Sequence, residues 1–162
     1  MRENRFLPFA LPLSVTVIVP ATLLRLFGRR SRMPAAQVPA GAVLMTAGYA
    51  MLAWTVTLFR RIGKGSLATW DPTRDLVVAG PYAHTRNPMI SGVVTVLVGE
   101  SVLFGSRPVL AWAAAFFAVN TAYFKLFEEP GLLERFGDDY ACYRDNVPMW
   151  LPRMSPWEAP GR

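Results

Sequence analysis

The residues best suited to chemistry lie in one short stretch that leads into an apolar block. Residues 80–92 read Gly-Pro-Tyr-Ala-His-Thr-Arg-Asn-Pro-Met-Ile-Ser-Gly and contain the single histidine of the chain. Pro88 favours the first turn of a helix, and helix N-termini attract anions, which Arg86 would reinforce. The alternative is an interfacial anchor, because aromatic and basic residues collect at headgroup level, and composition alone favours that simpler interpretation.

A second candidate is the adjacent carboxylate pair Glu128 and Glu129, which follows another apolar block. Two carboxylates at a membrane boundary repel each other and are costly to desolvate, so a neighbouring cation would stabilise them. Lys125, Arg86 or a ligand would supply that cation. Capping of the following helix explains the pair equally well, because carboxylates favour helix N-termini.

Several common motifs are missing from the sequence. It contains no dinucleotide-binding glycine pattern, no P-loop, no HExxH and no Cys/His cluster with metal-ligand spacing. The single Cys142 excludes an internal disulfide and a Cys-based zinc site. A Ser-His-Asp triad would have to use His84, and no nucleophile elbow accompanies it. We therefore predict that no metal is bound.

Four apolar blocks must position these residues, and they span 6–27, 39–59, 88–104 and 108–127. A helix needs about 20 residues to cross the hydrocarbon core, so all four qualify and the third is marginal. Pro20 predicts a kink in the first block. Only Gly105, Ser106 and Arg107 separate the last two blocks, which predicts a tight helical hairpin with Pro108 opening its second helix.

The polar segments differ in character. Glycine and proline in the loop 60–87 predict irregular structure. Residues 129–146 predict an amphipathic helix that lies along the membrane surface. Its apolar residues recur at spacings of three or four, at Leu133, Phe136, Tyr140, Tyr143 and Val147. The predicted fold is therefore an all-α polytopic membrane protein with about four transmembrane helices and a C-terminal amphipathic helix.

The charge distribution predicts the orientation. The formal charge is +6, and the basic residues lie between apolar blocks, as membrane flanks do, so we exclude nucleic acid as a partner. With four crossings, one side receives both termini, the loop 60–87 and most of the 17 basic residues. The positive-inside rule then places both termini in the cytoplasm, and we expect an integral protein of the plasma (inner) membrane. The basic cluster at 25–32 argues for the opposite orientation.

Both candidate motifs resemble those of a known superfamily. Gly80-Pro81-Tyr82-x-His84-x-Arg86-Asn87-Pro88-Met89-x-x-Gly92 resembles the signature of the isoprenylcysteine carboxyl methyltransferase superfamily of integral membrane methyltransferases. Glu128-Glu129-Pro130, with the Phe136-Gly137-x-x-Tyr140-x-x-Tyr143 and Val147-Pro148-x-Trp150-Leu151-Pro152-Arg153 stretches after it, also resembles the phospholipid methyltransferase branch. The resemblance covers residues 40–153, the core of a single methyltransferase-like domain that we assign to residues 1–162.

The resemblance implies S-adenosylmethionine as cofactor, bound at the cytoplasmic face, and a lipophilic small-molecule or lipid substrate with a carboxylate or amine acceptor. His84, Arg86 and Glu129 would be catalytic. The implied cofactor-binding residues are Tyr82, His84, Arg86, Asn87, Pro88, Gly92, Glu128 and Glu129, with Tyr140 and Tyr143 on a lid.

The chemistry suits these residue types. Arg86 and His84 would hold the cofactor carboxylate, and Glu128 or Glu129 its ammonium. Where the acceptor is an amine, His84 or a glutamate would take its proton. The family often has histidine at the position of Asn87, and an amide cannot titrate, so a proton-acceptor role at that position is doubtful.

Two other functions remain open at this point. Some membrane reductases resemble the same scaffold and bind a nicotinamide cofactor, but the extra phosphate of NADPH calls for more basic residues than Arg86 alone. The third possibility is a non-enzymatic membrane protein that keeps a degenerate pocket. The sequence fixes neither the acceptor nor the oligomeric state.

Overall fold

The structure is a computed structural model, and it describes residues 14–27, 36–62 and 75–158. Five α-helices run through these residues, which contain no β-strand. They are α1 (Val19–Phe27), α2 (Gln37–Ile62), α3 (Pro88–Phe104), α4 (Arg107–Tyr123) and α5 (Glu129–Asn146). Parts of three sequence predictions fall outside this range: the start of the first apolar block, most of the 25–32 basic cluster, and positions 63–74 of the loop.

Two helices are long and apolar enough to cross a membrane. They are Gln37–Leu58 and the continuous segment Arg107–Asn146, and only 17% of each apolar window is buried. Such low burial means that protein does not cover these apolar surfaces, unlike those of a soluble core helix. Two shorter apolar helices cover Ser14–Phe27 and Pro88–Phe104. Four crossings therefore remain a prediction, of which the described helices supply two full-length candidates.

Prolines follow π-helical segments at two points of the fold. A π-helix at Ser14–Ile18 leads into α1 near Pro20, and another at Phe124–Glu128 joins α4 to α5 near Pro130. Proline has no N–H to donate, and its ring clashes with the carbonyl four residues earlier. The wider π turn relieves that clash, so the chain stays helical through both prolines. The kink expected at Pro20 stays a prediction.

The described residues form two compact units, and the first contains those of Met1–Ala50 and Gly92–Phe117. Within it, α2 and α3 pack antiparallel at very close range. A Cβ at Gly48 would lie 2.7 Å from the carbonyl oxygen of Gly92, and one at Gly41 would lie 2.7 Å from the backbone nitrogen of Leu103. The small residues of the second apolar block therefore allow direct backbone contact, as in many membrane helix pairs.

The predicted hairpin is present in this unit. Helix α3 ends at Phe104, Gly105 adopts a φ of 58°, and α4 begins at Arg107. The Ser106 hydroxyl accepts a bond of 3.4 Å from the backbone N–H of Val109, which is an N-cap interaction. The turn therefore combines a left-handed glycine with a capping serine.

The second unit contains the described residues of Met51–Ser91 and Ala118–Arg162. Its apolar core is formed by Tyr140, Tyr143 and Val147, which are at most 3% exposed. Partly buried side chains surround this core, at Leu76, Val78, Leu132, Leu133, Phe136 and Trp157. Both candidate motifs belong to this unit, except for Gly92.

Two local predictions need correction. Helix α2 continues to Ile62, so the predicted loop starts later than residue 60, and a short 3-10 helix occupies Gly80–Ala83 within it. The predicted tail helix is interrupted at Gly137, where φ is 50° and ψ is −127°. Those angles are essentially restricted to glycine, so the backbone turns there between two helical stretches.

Candidate functional site

The first motif is a buried turn between α2 and α3. Gly80 has a φ of 61°, and a Cβ there would lie 2.9 Å from a methyl group of Leu58. Pro81 opens the 3-10 helix, whose residues Pro81, Tyr82 and Ala83 are buried. Glycine therefore supplies both the left-handed conformation and the space that brings the turn against α2.

The C-terminal segment 147–157 runs alongside this turn, and we call it the strap. Backbone N–H groups of Arg86, Arg153 and Trp157 donate to the carbonyls of Pro148, His84 and Ala83, at 3.0, 2.9 and 2.9 Å. The buried Thr85 hydroxyl adds a bond of 2.8 Å to the Met149 carbonyl. The strap thus satisfies the polar backbone of a turn that has no sheet or helix partner of its own.

His84 is hydrogen-bonded to the strap through one ring nitrogen. Its Nδ1 lies 2.8 Å from the carbonyl oxygen of Arg153. A carbonyl can only accept, so Nδ1 must carry the proton and donate it. In neutral His84, Nε2 then bears a lone pair and has no proton with which to hold a carboxylate. The role predicted for His84 in binding the cofactor carboxylate would therefore require a charged imidazolium.

Tyr143 fastens α5 to the same turn. Its phenol donates a bond of 2.7 Å to the backbone carbonyl of Tyr82, and the tyrosine is 3% exposed. Burial raises the pKa of the Tyr82 phenol above its ordinary value, and the neighbouring Tyr143 and Glu128 raise it further. Tyr82 is therefore a neutral phenol at physiological pH. Tyr143, predicted as part of a lid, is a core residue here, and its contact with a cofactor stays a prediction.

The two motifs meet in an ion pair. Arg86 Nη1 donates to Glu129 Oε1, and the two side chains are 10% and 17% exposed. Glu129 is positioned by the π-helical segment before it, because its backbone N–H donates to the Phe124 carbonyl five residues back. The proximity that the sequence predicted for Arg86 and Glu129 is therefore observed. Their roles in catalysis and cofactor binding stay predictions.

Within the residues that the structure describes, two buried side-chain nitrogens of the first motif have no hydrogen-bond acceptor. They are Arg86 Nε and Asn87 Nδ2, and the buried Tyr140 phenol interacts with Arg86. A buried donor without a partner costs about 1–3 kcal/mol, and more when it is charged. Buried polar groups in proteins normally have partners, so these two nitrogens are candidate donors to a ligand.

The remaining predicted residues lie in different surroundings. Glu128 is exposed, and its charge acts on Tyr82 and is opposed by Arg135. Asn87 and Pro88 are buried at the start of α3. Gly92 belongs to the first unit, where its carbonyl faces Gly48. Its packing role there is observed, and its role in cofactor binding stays a prediction.

Metal ligands are not grouped within residues 14–27, 36–62 and 75–158. No three His, Cys, Asp or Glu side chains come together there. The polar groups that do come together are Arg86, Glu129 and the Tyr140 phenol, which are groups that bind polar organic ligands.

Sequence reasoning missed the strap and Thr85. The stretch 147–153 was recognised only as part of a resemblance, and its prolines predicted an irregular tail. A usable signal was present, because prolines in an extended chain leave its carbonyls free to accept bonds. Thr85 gave no signal, since a single threonine in a loop has many possible partners.

Comparison with known proteins identifies one family. The sequence model described as phospholipid methyltransferase matches residues 36–139, which contain α2, α3, α4 and both the Arg86 and Glu129 positions. Neither a curated protein nor a solved structure gives a significant match. The match is to methyltransferases, so it gives no support to the reductase alternative. The segment 140–157, with Tyr143 and the strap, lies beyond the matched residues.

Proposed function

The chain belongs to the phospholipid methyltransferase family, and on this basis we propose that it transfers a methyl group from S-adenosylmethionine to a lipophilic acceptor. Membership of the family makes the chain a membrane methyltransferase in general. The identity of the methyl donor and of the acceptor is what we propose. The acceptor is an amine or carboxylate of a lipid or isoprenoid-like molecule. The description of the family names phospholipids, which favours the amine of a phospholipid headgroup.

The observation that carries the proposal is the Arg86–Glu129 pair with its unpartnered neighbours. The pair joins the two motifs across 43 residues of sequence. Arg86 Nε and Asn87 Nδ2 are both donors, and neither has an acceptor among residues 14–27, 36–62 and 75–158. A carboxylate accepts from two such donors at once, so the amino-acid end of S-adenosylmethionine fits them.

Each side chain then has a distinct role. Arg86 and Asn87 bind the carboxylate of the donor, and Glu128 balances its ammonium group. Glu129 holds the guanidinium of Arg86 in place, since its carboxylate is already paired with Nη1. When bound, S-adenosylmethionine supplies an electrophilic methyl group on a sulfonium. Aligning two reactants is worth about 7–11 kcal/mol, and positioning is the main contribution of these residues.

The proposal is tested by methyl transfer into lipid. Purified protein in lipid nanodiscs is given S-adenosylmethionine with a labelled methyl group, and label in the lipid extract is measured for wild type, Arg86→Gln and Arg144→Gln. Arg144 pairs with its exposed neighbour Asp145, so its loss should leave activity intact. Arg86→Gln should lower transfer at least tenfold. Absence of transfer by wild type, together with absence of donor binding, would refute the proposal.

The acceptor is identified by mass. Lipids from cells with and without the gene are compared for species that differ by one CH2 group. A change in amine headgroups supports a phospholipid acceptor, whereas new methyl esters support a carboxylate. No difference in either class contradicts a lipid acceptor.

We also propose that the site faces the cytoplasm, with both termini on that side of the inner membrane. Cys142 is the only cysteine, is partly exposed and lies in α5. A membrane-impermeant thiol reagent should label it only after the cells are permeabilised. Labelling of Cys142 in intact cells would reverse the orientation.

A further inference from the structure

The strap contacts the titratable side chain of His84, to which the proposed cofactor contacts assign no role. We propose that the strap positions His84 as its Nδ1–H tautomer, which leaves the Nε2 lone pair as proton acceptor for an ammonium acceptor group. This inference rests on the proposed methyl transfer and makes its acceptor more specific. It assigns a function to segment 147–157, most of which the family resemblance describes only as a pattern of prolines and aromatic residues.

The tautomer follows from the partner. The Arg153 carbonyl accepts from His84 Nδ1 at 2.8 Å, while the Arg153 N–H donates to the His84 carbonyl at 2.9 Å. The two residues are therefore joined by a reciprocal pair of bonds, one from the ring and one from the backbone. Such a partner decides which ring nitrogen is protonated.

The Arg153 carbonyl is held firmly enough to select a tautomer. The Arg153 guanidinium donates a hydrogen bond of 3.0 Å to the carbonyl of Asn146 at the end of α5. On either side, Thr85 binds Met149 and the backbone of Ala83 accepts from Trp157. Side chain and backbone thus fix the strap at several points, so the acceptor for Nδ1 stays in place.

The opposite ring nitrogen remains available. His84 is only partly buried, and in the part of the chain that the structure describes its ring forms a hydrogen bond through Nδ1 alone. Nε2 of neutral His84 therefore presents an unshared electron pair. Two neighbouring groups are less available as proton acceptors. The Glu129 carboxylate is paired with Arg86, and burial raises the pKa of the Tyr82 phenol and keeps it protonated.

A proton acceptor is needed for one acceptor class and not for the other. A carboxylate attacks without losing a proton, whereas an ammonium group must first give one up. In the proposed step, Nε2 takes that proton and the freed nitrogen lone pair bonds to the methyl carbon. The carbon–sulfur bonding electrons stay on sulfur, which becomes a neutral thioether. The prepared base therefore favours an amine headgroup.

The tautomer can be observed directly, because the chain contains one histidine. Protein labelled with 15N-histidine gives a single imidazole, whose two nitrogen resonances distinguish protonated from unprotonated positions. At a pH where the ring is neutral, wild type should show protonated Nδ1. A protonated Nε2 in wild type, or a rapidly exchanging mixture, would overturn the inference. This measurement needs no activity.

Paired variants test the strap. Arg153→Pro with Thr85→Val removes three hydrogen bonds that anchor the strap and should release the ring into a mixture of tautomers. Arg153→Ala keeps the backbone N–H and carbonyl that bond to His84 and should retain the wild-type spectrum. An unchanged spectrum in the double variant would show that the strap does not select the tautomer.

His84→Asn tests the base. The asparagine amide can donate to Arg153 as Nδ1 does, but it has no group at the place of Nε2. With an amine acceptor, kcat should fall about 100-fold, as expected for loss of a general base, while the KM for S-adenosylmethionine changes little. Full activity would exclude His84 as the base. If wild type transfers no methyl at all, the proposed function fails even where the tautomer is as expected.

Discussion

Arg86 and Glu129 form an ion pair although they come from different motifs and are 43 residues apart. The arginine precedes α3 and the glutamate opens α5, so the pair joins these two elements within the second unit. The pair is mostly buried. Removing one partner of such a pair lowers the free energy of unfolding more than removing both, because one buried charge is left without its counter-charge.

A double-mutant cycle should reveal this asymmetry. Glu129→Gln should lower the free energy of unfolding by about 3 kcal/mol, because it leaves a buried guanidinium without its counter-charge. Arg86→Gln should have a similar effect, and the double variant should cost clearly less than the sum of both. Thermal unfolding in detergent gives the comparison. Additive losses would mean that the pair contributes no coupling, and Asp145→Asn, at an exposed carboxylate of α5, is the neutral control.

Tyr143→Phe isolates the hydrogen bond between α5 and the first motif. The phenylalanine keeps the packing but leaves the Tyr82 carbonyl without its 2.7 Å donor, at a cost of about 1–3 kcal/mol. Tyr123→Phe is the matched control, because Tyr123 is 47% exposed in α4. The control should stay within about 0.5 kcal/mol of wild type. Equal effects of the two substitutions would rule out a special role for the Tyr143 hydroxyl.

Two glycines of α5 should respond in opposite directions to alanine. At both Gly131 and Gly137, the position that a Cβ would take has no neighbouring atom within 4 Å. Steric clash therefore does not distinguish the two substitutions. Gly131→Ala should stabilise by about 0.5–1 kcal/mol through helix propensity. Gly137→Ala should destabilise by about 1–3 kcal/mol, because its φ of 50° is unfavourable for alanine. The same sign for both variants would contradict the break at Gly137.

Gly48→Ala tests the close approach of α2 and α3. The added methyl group would meet backbone atoms of Gly92 and Val96 at 2.7–2.8 Å, and backbone cannot move aside as a flexible side chain can. Overpacking of this kind costs about 1–3 kcal/mol. The neighbouring substitution Ala47→Gly, at an exposed position of the same helix, provides the comparison. A Gly48→Ala protein as stable as wild type would show that the helices are further apart.

Asn87→Ser separates cofactor binding from folding. Serine caps a helix as well as asparagine does, so the start of α3 should keep its stability. The lost amide removes one of the two proposed donors to the cofactor carboxylate, and about tenfold weaker binding of S-adenosylmethionine is expected. Ligand-induced thermal stabilisation measures the change, with the exposed Asn146→Ser as control. Unchanged affinity would remove Asn87 from the site.

The sequence predicted those features whose signal is carried by residue type and spacing. The apolar blocks predicted α2, α3 and α4, and Gly105 with Pro108 predicted the hairpin. The opposite charges of Arg86 and Glu129, together with the family resemblance, predicted that the two motifs meet.

The features it missed depend on backbone geometry. The bonds from Arg153 and Trp157 to the first motif are formed by N–H and carbonyl groups that every residue type has. The π-helical segment before Glu129 is a choice among helical hydrogen-bond patterns that periodicity does not resolve. The break at Gly137 was also missed, but here the sequence carried a signal, because a glycine inside an amphipathic pattern can mark the end of a helix.

The order of synthesis gives the strap a consequence for biogenesis. A ribosome makes α2 and the α3–α4 hairpin before the strap, so these helices are complete while the groups that fasten the first motif are still untranslated. The first motif therefore acquires its bonds to the strap only after the last part of the chain has been made and has folded back. A chain terminated near residue 140 would contain α2, α3 and α4 but lack both Tyr143 and the strap, so the backbone groups of its first motif would lose their partners.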